Sequence, residues 1–485
     1  VDRLRARLML SRSVAACMIL LVSVAHAEGV GTRIERHLAE PRFAAASWGI
    51  SVVSLDDGRT VYAHDAGRLM LPASTAKLYT AAFALDRLGP DFRTRTDVLA
   101  NGAMKKGRLR GDIVLRGGGD PTLSGDAWAN NLAAALRERG IRRIDGAVVG
   151  DDTLFAGPPI GAGWEASDLQ ETYGAQAGGL DIDENTMTVA LAGPRVDVRP
   201  RDAAITVAID SAEAPPNDAP ARTPEFYRAP GSDTLHVIGL DNASAKPHTA
   251  RIAMPDPALV AARRLESALH AQGVRVDSEA RSVRWPVRPP GGELLASWPS
   301  PTLLEILQAG LKRSQNLYLQ TVFLLAGRSQ GADATPAEDR ATAALSDWLA
   351  ARGIGPTSVA MTEGSGLSRH DLTTASALTR LLATMDTAPG AAAWRSLLPV
   401  AGVDGTLARR MRGTAAEGNV VAKTGSMTYV NALAGYVTTA SGQRLAFAIL
   451  LNNYRPPPHG AEPLRSASAE VDAIAVMLAE ATGRL

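Results

Sequence analysis

The chain has 485 residues, 46% of them hydrophobic and 21% charged, and a formal net charge of +1. That length calls for about two or three domains with ordinary globular cores, and the balanced charge excludes an extended nucleic-acid-binding surface. A lone cysteine, Cys17, excludes a disulfide framework and a cysteine metal site.

The N-terminus reads as an export leader. Arg3, Arg5, Arg7 and Arg12 precede the apolar run Val14 to Val24, and Ala25-His26-Ala27 fits the small-x-small cleavage rule. Cleavage after Ala27 removes Cys17 and starts the mature chain at Glu28. The apolar run is too short to span a bilayer, and no later segment reaches that length. An exported, periplasmic protein without a transmembrane anchor is expected.

Residues Ser47 to Tyr62 predict a β-hairpin turned at Asp56-Asp57-Gly58. Pro72 to Leu88 predicts a helix. Arg93 to Leu123 reads as short strands, Asn130 to Gly140 as a helix, and Arg142 to Val149 as a strand. From Asp183 to Ala245 the composition shifts to Pro, Asp and Ala, with strand-like pieces at Ala204 to Ile209 and Thr234 to Ile238. Pro257 to Gln272 is helical. Thr302 to Lys312 and Leu317 to Ala326 predict two amphipathic helices, with Ser314 and Asn316 in the loop between them. Asn419 to Ser426, Ala432 to Thr438 and Arg444 to Leu451 read as consecutive strands, the last pair turned at Ser441-Gly442, and Val471 to Ala481 as a closing helix. Helices alternate with antiparallel strands at both ends of the chain, and the middle is β-rich. The pattern predicts an α/β domain interrupted by an insertion.

Three short motifs carry the chemistry: Ser74-Thr75-Ala76-Lys77, Ser314-Gln315-Asn316 and Lys423-Thr424-Gly425. The order S-x-x-K, S-x-N, K-T-G marks the penicillin-interacting serine enzymes. Only six of the 51 cationic Lys and Arg side chains are lysines, yet two of them fall in these motifs. Arginine stays protonated in a protein, whereas a desolvated lysine can release its proton. Ser74 and Lys77 stand one helical turn apart on one face. At a helix start, free N–H groups and the helix dipole favour a developing alkoxide. Lys77, if buried beside another cation, would have a lowered pKa and could take the serine proton. Lys423 and Thr424, opening an edge strand, suit a substrate carboxylate, and that edge can accept an extended peptide. Gly425 would leave room for substrate backbone. Other centres are weaker. There is no H-E-x-x-H, and Gly364-Ser365-Gly366 lacks the nucleophile elbow pattern. His370, Gly117-Gly118-Gly119-Asp120 and Asp151-Asp152 read as loop and turn residues. No cofactor is implied.

From about Phe43 to Leu478 the chain resembles the S13 peptidase family, the D-alanyl-D-alanine carboxypeptidase/endopeptidases or class C low-molecular-mass penicillin-binding proteins. Beyond the three motifs, the resemblance includes Gly111-Asp112-Ile113-Val114-Leu115, Gly118 to Leu123, Gly150-Asp151-Asp152, Gly364 to Arg369 and Gly402 to Leu407. It implies an α/β (α+β) domain of the serine β-lactamase/DD-peptidase type, with an antiparallel sheet flanked by helices and two nested β-rich insertions. Residues 28–94 and 265–485 would form the catalytic domain, 95–184 and 246–264 the first insertion, and 185–245 the nested one. The resemblance also implies roles. Ser74 would attack the penultimate D-alanine carbonyl of a peptidoglycan stem peptide, with Lys77 as base. Ser314 would relay a proton, Asn316 would hold Lys77 and the substrate amide, and Lys423 with Thr424 would bind the terminal carboxylate. Backbone N–H groups of Ser74 and Ser426 would form the oxyanion hole, and β-lactams would acylate Ser74. A side pocket of Asp168, Tyr173, Arg369 and Met427 would take the far end of the stem peptide, the amine and carboxylate of diaminopimelate. Gln315 departs from the aspartate common at this variable middle position. Two alternatives stand beside this reading. A serine β-lactamase is disfavoured by the 240 residues between Ser74 and Ser314, and a catalytically weak wall-binding protein by the intact motifs.

Overall fold

The computed structural model describes residues 29–485 apart from 193–194, 204, 211–223, 239–247, 329–334 and 457–465. The leader lies outside the described residues, as does Ala204 at the start of one expected strand. Helix α1 (Val30–Leu38) leads into β1 (Ser47–Ser54) and β2 (Thr60–His64), the expected hairpin. A 3-10 turn, Ala73–Ala76, then feeds α2 (Lys77–Leu88).

The inserted unit begins with the hairpin β3 (Arg95–Lys105) and β4 (Arg108–Arg116), followed by α3 (Ala127–Glu138), β5 (Arg143–Ile144) and β6 (Val148–Asp152). The single strand expected over Arg142 to Val149 is therefore two short ones. The nested region forms two three-stranded sheets from β7 (Thr186–Ala192), β8 (Arg195–Arg199), β9 (Thr206–Asp210), β10 (Glu225–Tyr227), β11 (Thr234–Ile238) and β12 (His248–Ala253). Because β12 pairs antiparallel with β7, this region closes at Ala253 rather than at the expected residue 245.

The return to the first domain also differs from expectation. Asp256 caps α4 (Pro257–Ala271), accepting from the Leu259 N–H at 3.0 Å. Leu265 and Leu269 of α4 are buried with Leu136 and Val148 in the core of the insertion. Next, β13 (Arg275–Val276) pairs parallel with β5, β14 (Arg281–Arg284) pairs parallel with β6, and β15 (Glu293–Pro299) pairs antiparallel with β3. Residues 265–299 thus complete the inserted seven-stranded sheet. Among the described residues strand partners for them exist only there, so the chain leaves the insertion after Pro299.

The helical layer follows: α5 (Leu303–Arg313), α6 (Asn316–Ala326), α7 (Ala337–Ala350), the short pair β16 (Val359–Ala360) and β17 (Leu372–Thr373), α8 (Ala375–Thr387) and α9 (Ala391–Ser396). A capping box starts α5: Thr302 Oγ1 accepts from the Glu305 N–H at 3.2 Å, and Glu305 accepts from the Thr302 N–H at 2.8 Å. Every residue of α6 is buried, as befits a helix apolar nearly all round. The chain ends with β18 (Val421–Met427), β19 (Val430–Thr438), β20 (Arg444–Asn452) and α10 (Ala467–Ala479).

The main sheet runs β18-β19-β20-β1-β2, antiparallel throughout, with β18 at one edge and its first residue, Val421, bridged to Val400. Strand alternation assigns its two faces. Leu445, Phe447, Ile449 and Leu451 pack with Ile34 of α1 and Ile474 of α10. Ala446, Ala448, Ala432 and Ala434 face the other core, with Phe83, Leu307, Phe323 and Leu378. The small residues on that side let the Ser74 turn and α8 lie close to the sheet.

Candidate active site

Ser74 sits in the 3-10 turn, one residue after Ala73, whose φ of 45° is left-handed. Such a conformation in a non-glycine residue must be held by its surroundings. Thr75 Oγ1 donates to the Pro72 carbonyl at 2.7 Å, and two glycines close on the turn. A Cβ on Gly366 would stand 2.2 Å from the Ala73 carbonyl oxygen, and one on Gly425 would stand 2.6 Å from the Pro72 carbonyl oxygen. Gly425 therefore makes room for the serine turn. The expectation that it clears space for substrate backbone is replaced by this tighter contact.

Lys77 is fully buried at the start of α2. Its Nζ donates to Ser74 Oγ at 2.7 Å, Asn316 Oδ1 at 2.6 Å and the Ser365 carbonyl at 2.5 Å. These partners are all uncharged. Burial brings the amine down to about 7, opposed by the carboxylates Glu363 and Asp371. Of the two causes expected from the sequence, burial and a neighbouring cation, burial is the one that lowers this amine.

The hydrogen bonds also orient the amine. Asn316 Nδ2 donates to the Tyr173 carbonyl at 2.8 Å, which turns Oδ1 toward Lys77. Asn316 Oδ1 and the Ser365 carbonyl can only accept. A neutral Lys77 has two N–H donors and one lone pair. With both donors engaged by those carbonyls, the lone pair is left for the Ser74 hydroxyl. The arrangement is that of a general base beside its nucleophile.

Ser314 ends α5 in the left-handed region, with φ 57°. This sharp turn aims its hydroxyl at the third motif. Asn316, expected in the loop, is the first residue of α6. Lys423 Nζ donates to Ser314 Oγ at 2.9 Å and to the Thr424 carbonyl at 2.7 Å. Lys423 is fully buried, and its amine is pushed well down by desolvation, then by the charges of Lys77 and Arg410. Thr424 Oγ1 donates to Thr406 Oγ1 at 2.8 Å. Lys312 steadies the loop that carries Thr406, donating to Asp404 Oδ2 at 2.6 Å and to the Leu398 carbonyl at 2.7 Å.

One cleft of about 470 Å³ collects Ser74, Ser314, Asn316, Ser426 and Met427 with Asp168, Tyr173 and Arg369. The last three are not buried: Tyr173 is 45% exposed. Asp168 and Tyr173 arrive because residues 155–184 of the insertion lie back across α5, α6 and α7, whereas Arg369 comes from the catalytic body. The Ala337 N–H donates to the Ala156 carbonyl at 2.7 Å, Thr321 Oγ1 donates to Asp181 Oδ2 at 3.0 Å, and Arg313 pairs with Glu184 at 2.6 Å.

The sequence of residues 30–478 matches the D-Ala-D-Ala carboxypeptidase 3 (S13) family. The chain belongs to this family. Among relatives of this S13 chain, the D-alanyl-D-alanine carboxypeptidase of Actinomadura sp. strain R39 is 35% identical over 466 residues, spanning 93% of this chain and 84% of that protein. The D-alanyl-D-alanine carboxypeptidase DacB of Haemophilus influenzae is 28% identical over 416 residues, spanning 84% of this chain and 85% of that protein. The crystal structure of penicillin binding protein 4 from Haemophilus influenzae superposes with a TM-score of 0.79 at 26% identity, covering 91% of this chain and 97% of that one. The expected fold class, an S13-type α/β domain with an antiparallel sheet and flanking helices, holds.

In this S13 chain the cleft also holds residues that motif reading missed. Glu165 accepts from Arg369 Nε at 2.7 Å, and Asp168 Oδ2 accepts from the Glu165 N–H at 3.0 Å. Ser365 acts through its carbonyl, which side-chain motifs do not reveal. The centres set aside on sequence are structural. Asp151 Oδ1 accepts from the Thr153 N–H at 3.0 Å, and Asp152 Oδ1 from the Gly179 N–H at 2.6 Å. Among the described residues no cluster of His, Cys, Asp and Glu could hold a metal ion, and no helix is long and apolar enough to cross a membrane.

Proposed function

We propose that this D-alanyl-D-alanine carboxypeptidase cleaves the terminal D-Ala-D-Ala bond of peptidoglycan stem peptides, and the like bond in cross-links, through an acyl-enzyme on Ser74. One observation carries the assignment: Lys77 Nζ, buried and tuned to about 7, stands 2.7 Å from Ser74 Oγ with its other two partners restricted to accepting. Neutral Lys77 takes the hydroxyl proton as Oγ attacks the penultimate D-alanine carbonyl. Backbone N–H groups of Ser74 and Ser426 stabilise the oxyanion. The proton taken by Lys77 is returned through Ser314, hydrogen-bonded to Lys423, to the leaving amine, which restores neutral Lys77. Lys423 and Thr424 bind the substrate's terminal carboxylate, whose charge favours the ammonium form of Lys423. Water then releases the shortened peptide. β-Lactams enter by the same attack and leave slowly.

The substrate's strand adds to the edge of β18. Its far end reaches Asp168, Tyr173, Arg369 and Met427, where a carboxylate suits a free amine and a guanidinium suits a carboxylate, as diaminopimelate presents. The leader-like N-terminus supports export to the periplasm. The test is to incubate the purified mature protein with muropeptides and identify products by mass. Loss of one alanine, or splitting of cross-linked dimers, is expected, and Ser74→Ala should abolish both along with penicillin labelling. D-Alanine release by Ser74→Ala at the unmodified rate would sink the assignment.

A further inference from the structure

Loop 362–371 contributes Gly366, Leu367 and Arg369 to the cleft wall. Two acids in it, Glu363 and Asp371, are fully buried and take no part in the steps above. Glu363 Oε2 accepts from the Ser365 N–H at 2.7 Å, and Oε1 accepts from the N–H groups of Leu367 at 2.9 Å and Ser368 at 3.5 Å. The carboxylate thus clamps the turn that presents the Ser365 carbonyl to Lys77. The residue between them is tied as well. The Gly364 N–H donates to Gln320 Oε1 at 2.6 Å, and the Gly364 carbonyl accepts from Thr80 Oγ1 at 2.7 Å.

Asp371 has a different task. Its Oδ1 accepts from the Thr362 N–H at 2.7 Å and from Thr362 Oγ1 at 2.9 Å. Its Oδ2 is buried and otherwise unpartnered among the described residues. Two buried carboxyl groups in contact cannot both ionise. Burial, then the charge of Glu363, pushes Asp371 well up, so Asp371 is the member of the two that holds a proton. Asp371 is then neutral, and the charge that acts on Lys77 is that of Glu363, the larger of the two acidic influences on the amine. The other charged groups near this chain of residues are Lys423 beyond Lys77 and Glu338 behind Glu363.

We propose that Glu363 is a positioning residue for the general base: it fixes the Ser365 carbonyl that steers the Lys77 lone pair toward Ser74, and it provides the single negative charge behind that amine, with Asp371 as its proton-bearing partner. The inference rests on Lys77 being the base. Without Glu363 the amine would lose one of its two acceptors' support and the charge that favours its ammonium form.

The experiment follows penicillin acylation rate against pH in the full mature protein. Glu363→Gln keeps the side-chain volume and removes the charge. Its acid limb should move to lower pH by about one unit, because Lys77 then deprotonates more easily. Its maximal rate should fall about tenfold as the Ser365 turn loosens. A scaffold role alone would lower the rate and leave the limb in place. Asp371→Asn retains an acceptor for Thr362 and is uncharged like the protonated acid it replaces, so its limb should stay where the unmodified protein has it. An unmoved limb in Glu363→Gln overturns the proposal, as does a limb displaced by a unit in Asp371→Asn. The second variant decides alone if the first does not fold. Failure of the unmodified protein to take up penicillin would instead overturn the Ser74–Lys77 assignment, and this inference with it.

Discussion

The two ends of the cleft are built on opposite principles. At the reactive end, Lys77 and Lys423 are completely buried, and every hydrogen bond around them is short. At the far end, Tyr173 is 45% exposed, and Arg369 pairs with Glu165 in partly solvated surroundings. Burial lets the protein set protonation, since a desolvated amine loses its proton readily. Exposure leaves charge pairs weak, each worth about 0–1 kcal/mol, so an incoming zwitterion can displace Arg369 from Glu165 at little cost. Under the proposed function, chemistry is fixed at one end and recognition is adaptable at the other.

The sharpest way to break this contrast is at Lys77. Lys77→Arg keeps the charge and removes the base, because a guanidinium does not deprotonate. Peptide turnover and penicillin acylation should both fall by about 10³-fold or more, measured by product release and by labelling. Ser314→Ala cuts the proton path to the leaving group. A loss of about 10²-fold in peptide turnover is expected, with Lys423 left facing an unfilled site. Titration sharpens the picture without a mutation. With neutral Lys77 as the proposed active form and its value about 7, acylation should be slow in acid, rise through neutral pH and level off above it. A rate that falls across this interval would contradict the sign. The smallest effect belongs to the far end. Asp168→Ala should lower turnover of diaminopimelyl-tipped peptides by about tenfold, while penicillin, which does not reach that far, acylates as before. Equal loss for both substrates would remove the distinction between the two ends.

The reactive end was largely legible in the chain. S-x-x-K puts Ser74 and Lys77 one turn apart whatever surrounds them, and the S-x-N and K-T-G signatures are local strings. Their convergence was a family-level expectation, because spacing alone does not bring residues 74, 314 and 423 together. What stayed hidden was set by non-local packing. The source of the Lys77 shift is burial beneath α6, which no neighbour in sequence announces. Glu363 acts on backbone N–H groups, and Ser365 through a carbonyl, so neither leaves a side-chain signature. The end of the insertion was misplaced because β13 and β14 are short and pair in parallel with strands about 130 residues earlier. Short parallel strands carry almost no pattern of their own.

The bond from Asn316 Nδ2 to the Tyr173 carbonyl spans the seam between insertion and catalytic body. It makes the appended region a splint for the catalytic amide rather than a detachable accessory. Trimming the chain to its minimal penicillin-reactive body would strip away one of that amide's two anchors and leave its orientation to the bond from Lys77 alone.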